Sequence, residues 1–140
     1  MLLELAATLC SGLFAGASIY ITLVEHPARM QCGMALAVTE FAPSYKRAAA
    51  MQASLAAIGF VCAVMTWFWG APLSWLIGGI LLGAVIPFTL LVIFPTNKQL
   101  LDPGLDRNSS LTEQLLIRWG RLHAVRSLLG LASFLLFLLS

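Results

Sequence analysis

The chain has 140 residues, 60% of them hydrophobic and only 10% charged, with a net charge of +2 and a mean hydropathy of +0.92. Soluble domains run near ~45–50% apolar and ~25% charged, so this composition excludes a water-soluble enzyme and a disordered segment. Eight basic residues against six acidic ones form no basic patch, which excludes a nucleic-acid partner. The expectation is one integral membrane domain covering 1–140, with the lipid bilayer as its main partner.

A crossing needs ~20 mostly apolar residues to span ~30 Å of hydrocarbon. The first such run is at about Leu5–Val24; it carries Glu4 and no Lys or Arg before it, unlike a cleavable signal. Its Gly12-x-x-x-Gly16 spacing suits close helix packing. Met30, Met34, Ala37, Val38 and Phe41 then recur at helical spacing, which predicts a short helix lying in the interface. The second run, at about Ala48–Trp69, carries a small-residue ridge of Ala49, Ala53 and Ala57. Trp67, Trp69 and Trp75 read as an aromatic belt at one membrane boundary. The third run, at about Leu73–Phe94, has Gly79-x-x-x-Gly83 for packing and Pro87 as a kink. Asp102-Pro103-Gly104 breaks the chain, and Ser110-x-x-Glu113 reads as a capping box. A helix from there through the fourth run, at about Leu122–Leu139, would be about 45 Å long.

None of the runs alternates as barrel strands do, so the expected fold class is all-α, a four-transmembrane-helix bundle. No full-length repeat is visible. Arg29, Lys46 and Arg47 follow the first run, while Lys98, Arg107, Arg118 and Arg121 follow the third, with Arg126 just inside the fourth. Gly70-Ala71-Pro72, between the second and third runs, carries no charge. The positive-inside rule therefore makes the basic side cytoplasmic, with both termini on the other side and helices three and four extending into the cytoplasm.

Ionisable groups at membrane depth are costly, and here they gather in one layer. Glu25, His26 and Arg29 close the first run; Gln52 lies about 6 Å into the second; Thr96 and Asn97 close the third; His123 and Arg126 open the fourth. His26-Pro-Ala-Arg29 and His123-Ala-Val-Arg126 share one form, and a spacing of three puts each His and Arg on one helical face. An approximate symmetry between the two pieces is one expectation; pairing of Arg126 with Glu25 inside the bundle is another. Arg29 suits either the layer or a phosphate headgroup, and Gln52 and Asn97 suit either the layer or plain interhelical bonding.

Three uses of the layer stay open on residue types. A 2-His-1-carboxylate metal site would use His26, His123 and Glu25, against the repulsion of two guanidinium groups. Haem held by His26 and His123 is a second, with Arg toward its propionates. A metal-free pocket suits the Arg pair best: His26 or His123 as general base, Arg29 and Arg126 holding the anion, and Glu25, Gln52 and Asn97 binding substrate. No cofactor is firmly implied. Cys10, Cys32 and Cys62 are odd in number and lack a C-x-x-C spacing, so no thiol redox motif is present.

Several blocks in order resemble the bacterial branch of the anthrone oxygenase-like membrane proteins. They are Gly16-Ala17-x-x-Tyr20, Val24-Glu25-His26-Pro27-Ala28-Arg29, Pro43-Ser44-Tyr45-Lys46-Arg47, Met51-Gln52-Ala53-Ser54-Leu55, Phe88-Thr89, Pro95-Thr96-Asn97 and Trp119 through Arg126. The resemblance implies a four-helix protein of a bacterial cytoplasmic membrane whose fungal relatives oxidise anthrones to anthraquinones with O₂. Carried over, it implies Glu25, His26, Arg29, Gln52, Asn97, His123 and Arg126 as shared polar positions. The expected function is an oxidoreductase acting on a hydrophobic phenolic or enolisable small molecule. The alternatives are a non-catalytic carrier for an anionic lipid or small acid, and a haem-binding electron carrier.

Overall fold

The computed structural model describes residues 1–140 and contains helices and no strand. Four long helices, α1 Leu2–Gln31, α2 Met34–Phe68, α3 Leu73–Leu100 and α4 Ser110–Leu138, are each long and apolar enough to cross a membrane. At 1.5 Å per residue α2 is about 52 Å and α4 about 44 Å long, more than a ~30 Å hydrocarbon layer needs. The excess of both helices lies at the end where the basic residues gather.

That excess corrects the expectation of an interfacial helix. Met34 through Phe41 is the opening of α2 itself, and the helix continues through Pro43. Gly33, at φ +89°, makes the turn between α1 and α2. The apolar stripe was real, but its partner is protein: Ala37, Val38 and Phe41 are buried in one cluster with Leu115, Leu116 and Trp119 of α4. The start of α4 also shifts by one residue. Ser109, not Ser110, is the cap, accepting a bond from the Thr112 N–H at 3.2 Å.

Helix α1 packs on α2 and α4, and α3 packs on the same two, so the four form a square with α1 and α3 on one diagonal. Small residues set the close approaches. A Cβ on Gly12 would sit 2.9 Å from the Phe134 ring, and one on Gly83 2.8 Å from Phe60. Gly16 meets nothing within 4 Å, so only the first glycine of its pair packs. On α2 the inward face is Gln52, Ala56, Gly59, Ala63 and Thr66, while Ala53 and Ala57 of the expected ridge are exposed. Trp75 likewise leaves the expected belt: it is buried and stacked on Phe137, with ring centroids 4.9 Å apart.

Two widened turns interrupt the diagonal helices at matching places. In α1, Ile21–Glu25 is π-helical, the His26 N–H bonding back to the Ile21 carbonyl. In α3, Thr89–Ile93 is π-helical, with Phe94 N–H on the Thr89 carbonyl. Each is followed by proline, Pro27 and Pro95, and Leu23-Val24 in the first recurs as Leu91-Val92 in the second. On the other diagonal, Tyr45, Arg47 and Gln52 of α2 correspond to Trp119, Arg121 and Arg126 of α4. The two helical hairpins, α1–α2 and α3–α4, thus share a π turn followed by proline and a few matching residues.

Candidate functional site

The widened turn decides which α1 side chains face inward. Ser18 and His26 are both buried, as are Ile21 and Arg29. In an unbroken α-helix each such step of eight residues overshoots two turns by about 80°. The extra residue held in the π turn takes up that drift and keeps all four on the inner side. Arg29 then reaches across to α2. Its Nη2 donates to Glu25 Oε1 at 2.5 Å, its Nε lies 2.6 Å from Glu40 Oε2, and Ser44 Oγ also donates to Glu25.

The second guanidinium is different. Arg126 is 7% exposed, forms no ion pair, and lies 5.2 Å from the centroid of the Phe14 ring. The expected Arg126–Glu25 pair therefore does not form, because Glu25 is engaged by Arg29 and Ser44. Phe14 in turn reaches this position because Gly130 lacks a Cβ, which would stand 2.5 Å from the ring.

Arg126, His123, Gln52 and Arg29 line one small cavity, together with Ile21, Ser44, Tyr45, Ala48, Ala49 and Trp119. The cavity has room for about one water molecule. Outside it, a groove of about 400 Å³ opens between α1 and α2, lined by Ala17, Tyr20, Glu25, Arg47 and Met51. Cavity and groove share Ile21, Ser44, Ala48 and Gln52, so only side chains separate them.

Of the seven polar positions singled out in the sequence, Arg29, Gln52, His123 and Arg126 meet at this cavity. Glu25 stands at the groove. His26 does not line the cavity but packs at a tilt against Trp119, centroids 5.1 Å apart, and Gly120 makes room for it. Asn97 and Thr96 are buried on α3 away from it, with the Asn97 amide unpartnered. The two His-x-x-Arg pieces stand on neighbouring helices, α1 and α4.

Several members of the site carried no ionisable signal in the sequence. Trp119 contacts both imidazoles, its ring centroid 5.1 Å from that of His26 and 4.7 Å from that of His123. Thr22, Ser18 and Ser127 bond around His123 and Gln52: Thr22 Oγ1 is 3.1 Å from His123 Nδ1, and Ser18 Oγ donates to Gln52 Oε1 at 3.2 Å. Their signal was depth alone, being hydroxyls one or two turns inside the expected spans.

Trp119 also decides how a haem or metal would fit. Axial ligation by His26 and His123 needs room for a porphyrin beside both rings, yet both pack against the Trp119 indole and the cavity at His123 has room for about one water. A 2-His-1-carboxylate set fails on Glu25, which is held by Arg29 and Ser44. No three His, Cys, Asp or Glu side chains stand close enough to share an ion. The donor set present fits neither group.

No curated protein and no solved structure shows a significant similarity to the chain. The family model described as anthrone oxygenase matches residues 41–136, which include Gln52, Trp119, His123 and Arg126. An apolar four-helix bundle with this cavity at its charged end belongs to the anthrone oxygenase family.

Proposed function

We propose that the protein is a membrane oxidoreductase that removes a proton from a hydrophobic, enolisable substrate such as an anthrone and passes the resulting anion to O₂. The observation that carries this reading is Arg126, a buried guanidinium without a carboxylate, lining one small cavity with His123. An unpaired buried cation costs several kcal/mol, and an anion formed next to it recovers that cost. His123 is the general base and Arg126 holds the enolate oxygen; Gln52 can hydrogen-bond the same oxygen.

The chemistry balances without a further reductant. The base takes one proton from the anthrone methylene, leaving an enolate. The enolate carbon gives its electron pair to O₂, forming a C–O bond and a peroxide anion. Loss of the second C–H proton and cleavage of the O–O bond give the quinone carbonyl and hydroxide, which leaves as water. The four electrons taken up by O₂ all come from substrate.

The inner cavity is too small for a ring system, so the reacting edge alone enters it while the ring lies in the groove between α1 and α2. The groove opens from the side of the bundle, which suits a substrate dissolved in the bilayer. By the positive-inside rule the basic residues at this end support a cytoplasmic orientation in a bacterial membrane.

Oxygen uptake with anthrone by protein in lipid nanodiscs tests the reading. His123→Ala is expected to lower kcat by about 10²- to 10⁴-fold, the range for loss of a general base. Uptake at the wild-type rate by a folded His123→Ala protein would overturn it. Binding of an aromatic carboxylate lost in Arg126→Gln, with no turnover in any variant, would favour a carrier instead.

A further inference from the structure

Several hydroxyls in these helices bond backward along their own helix. Thr39, Ser54, Thr66 and Thr89 each donate to the carbonyl four residues before, at 2.7 to 2.9 Å. Thr22 makes no such bond. From within the π turn of α1 it reaches across to α4, 3.1 Å from His123 Nδ1 and 2.9 Å from Ser127 Oγ. Ser127 Oγ in turn lies 3.1 Å from the Ser18 carbonyl and 3.0 Å from the His123 carbonyl.

The direction of this chain is fixed by its end. Carbonyl oxygens only accept, so Ser127 gives its single hydrogen to them. Ser127 Oγ must then accept from Thr22, which spends the Thr22 hydrogen. Thr22 Oγ1 has only a lone pair left for His123, and Nδ1 must carry the proton. In the opposite direction Ser127 would face two carbonyl oxygens at about 3 Å with no hydrogen between them, which is repulsive. Nε2 of His123 has no protein partner.

We propose that Thr22 and Ser127 are positioning residues that hold His123 in the Nδ1–H tautomer and present the Nε2 lone pair to the cavity. The use of that lone pair as the base rests on the function proposed above; the tautomer does not. A proton taken up at Nε2 leaves an imidazolium whose Nδ1–H stays bonded to Thr22, so the chain also favours the charged form of the ring.

The ¹⁵N shifts of His123 in labelled protein, assigned against His123→Gln, read the tautomer directly. Wild type and Thr22→Ser are expected to show Nδ1 protonated and Nε2 bare. Thr22→Val, which cannot accept the bond, is expected to move the ring to Nε2–H and to lower kcat by at least about tenfold with KM little changed. Should Thr22→Val not fold, Ser127→Ala decides: it frees the Thr22 hydrogen to point at Nδ1 and should give the same shift. A wild-type ring found as Nε2–H or doubly protonated, or a tautomer unmoved in these variants, would overturn the proposal. Wild-type turnover by His123→Ala with the Nδ1–H tautomer in place would sink the catalytic reading alone.

Discussion

Arg29 and Arg126 are both buried, yet removing them should have opposite consequences. Arg29 holds Glu25 and Glu40 together, so Arg29→Met leaves two carboxylates facing each other at the top of α1 and α2. Both carboxylates are partly solvated, and the expected loss is about 1–3 kcal/mol, seen as a lower melting temperature in detergent. The double variant Arg29→Met/Glu25→Gln should recover part of it. Arg126→Met removes a charge that has no partner and should leave the melting temperature unchanged or raise it, while abolishing anion binding. A melting temperature lowered equally by both arginine variants would show that Arg126 has a structural partner. Which residues lie deep in the bundle was legible from position along each span, and it singled out Arg29, Gln52, His123 and Arg126 of the cavity but not Tyr45. Their pairing was not: Glu40 lies outside the expected spans, on the α2 extension that reaches back over α1, and only the fold brings it to Arg29.

At the scale of the helices, the four apolar runs and the extension of α4 follow from hydropathy and length and all appear, whereas in sequence the extension of α2 reads as a separate interfacial helix. What a fixed 3.6-residue period cannot carry is a turn that holds an extra residue. The π turns at Ile21–Glu25 and Thr89–Ile93 reset the inward face, so a periodic reading drifts across each of them. The small residues misled for a related reason. Ala49, Ala53 and Ala57 form a ridge by spacing, but α2 is rotated so that Ala56, Gly59 and Ala63 meet its neighbours. Where alanine lines the groove it serves access instead. Ala48 borders both groove and cavity, so Ala48→Phe should fill the passage and raise KM for anthrone at least about tenfold. Ala53→Phe, on an exposed face of the same helix, should leave kinetics unchanged. Equal kinetics in both variants would mean that substrate does not pass between α1 and α2.

For the molecule as a whole, the two hairpins share a backbone plan but not a chemistry. Two residues after the proline that follows each π turn, α1 offers Arg29 and α3 Asn97; in the sequence match of the other two helices, Arg126 of α4 falls on Gln52 of α2. One site with a net cationic character results instead of two. Its orientation has a simple probe in Cys32, which is exposed at the charged end, whereas Cys10 and Cys62 are half-buried within the bundle. A membrane-impermeant maleimide should label Cys32 in inverted vesicles and leave it untouched in intact cells; labelling in intact cells would reverse the orientation. The central claim, that His123 deprotonates substrate in this cavity, is tested most directly by anaerobic hydrogen exchange. Anthrone in deuterated buffer, without O₂, should exchange its methylene protons faster with the wild-type protein, and His123→Ala should fall to the buffer rate. Wild-type protein that consumes O₂ in air but leaves the anaerobic exchange at the buffer rate would contradict the account.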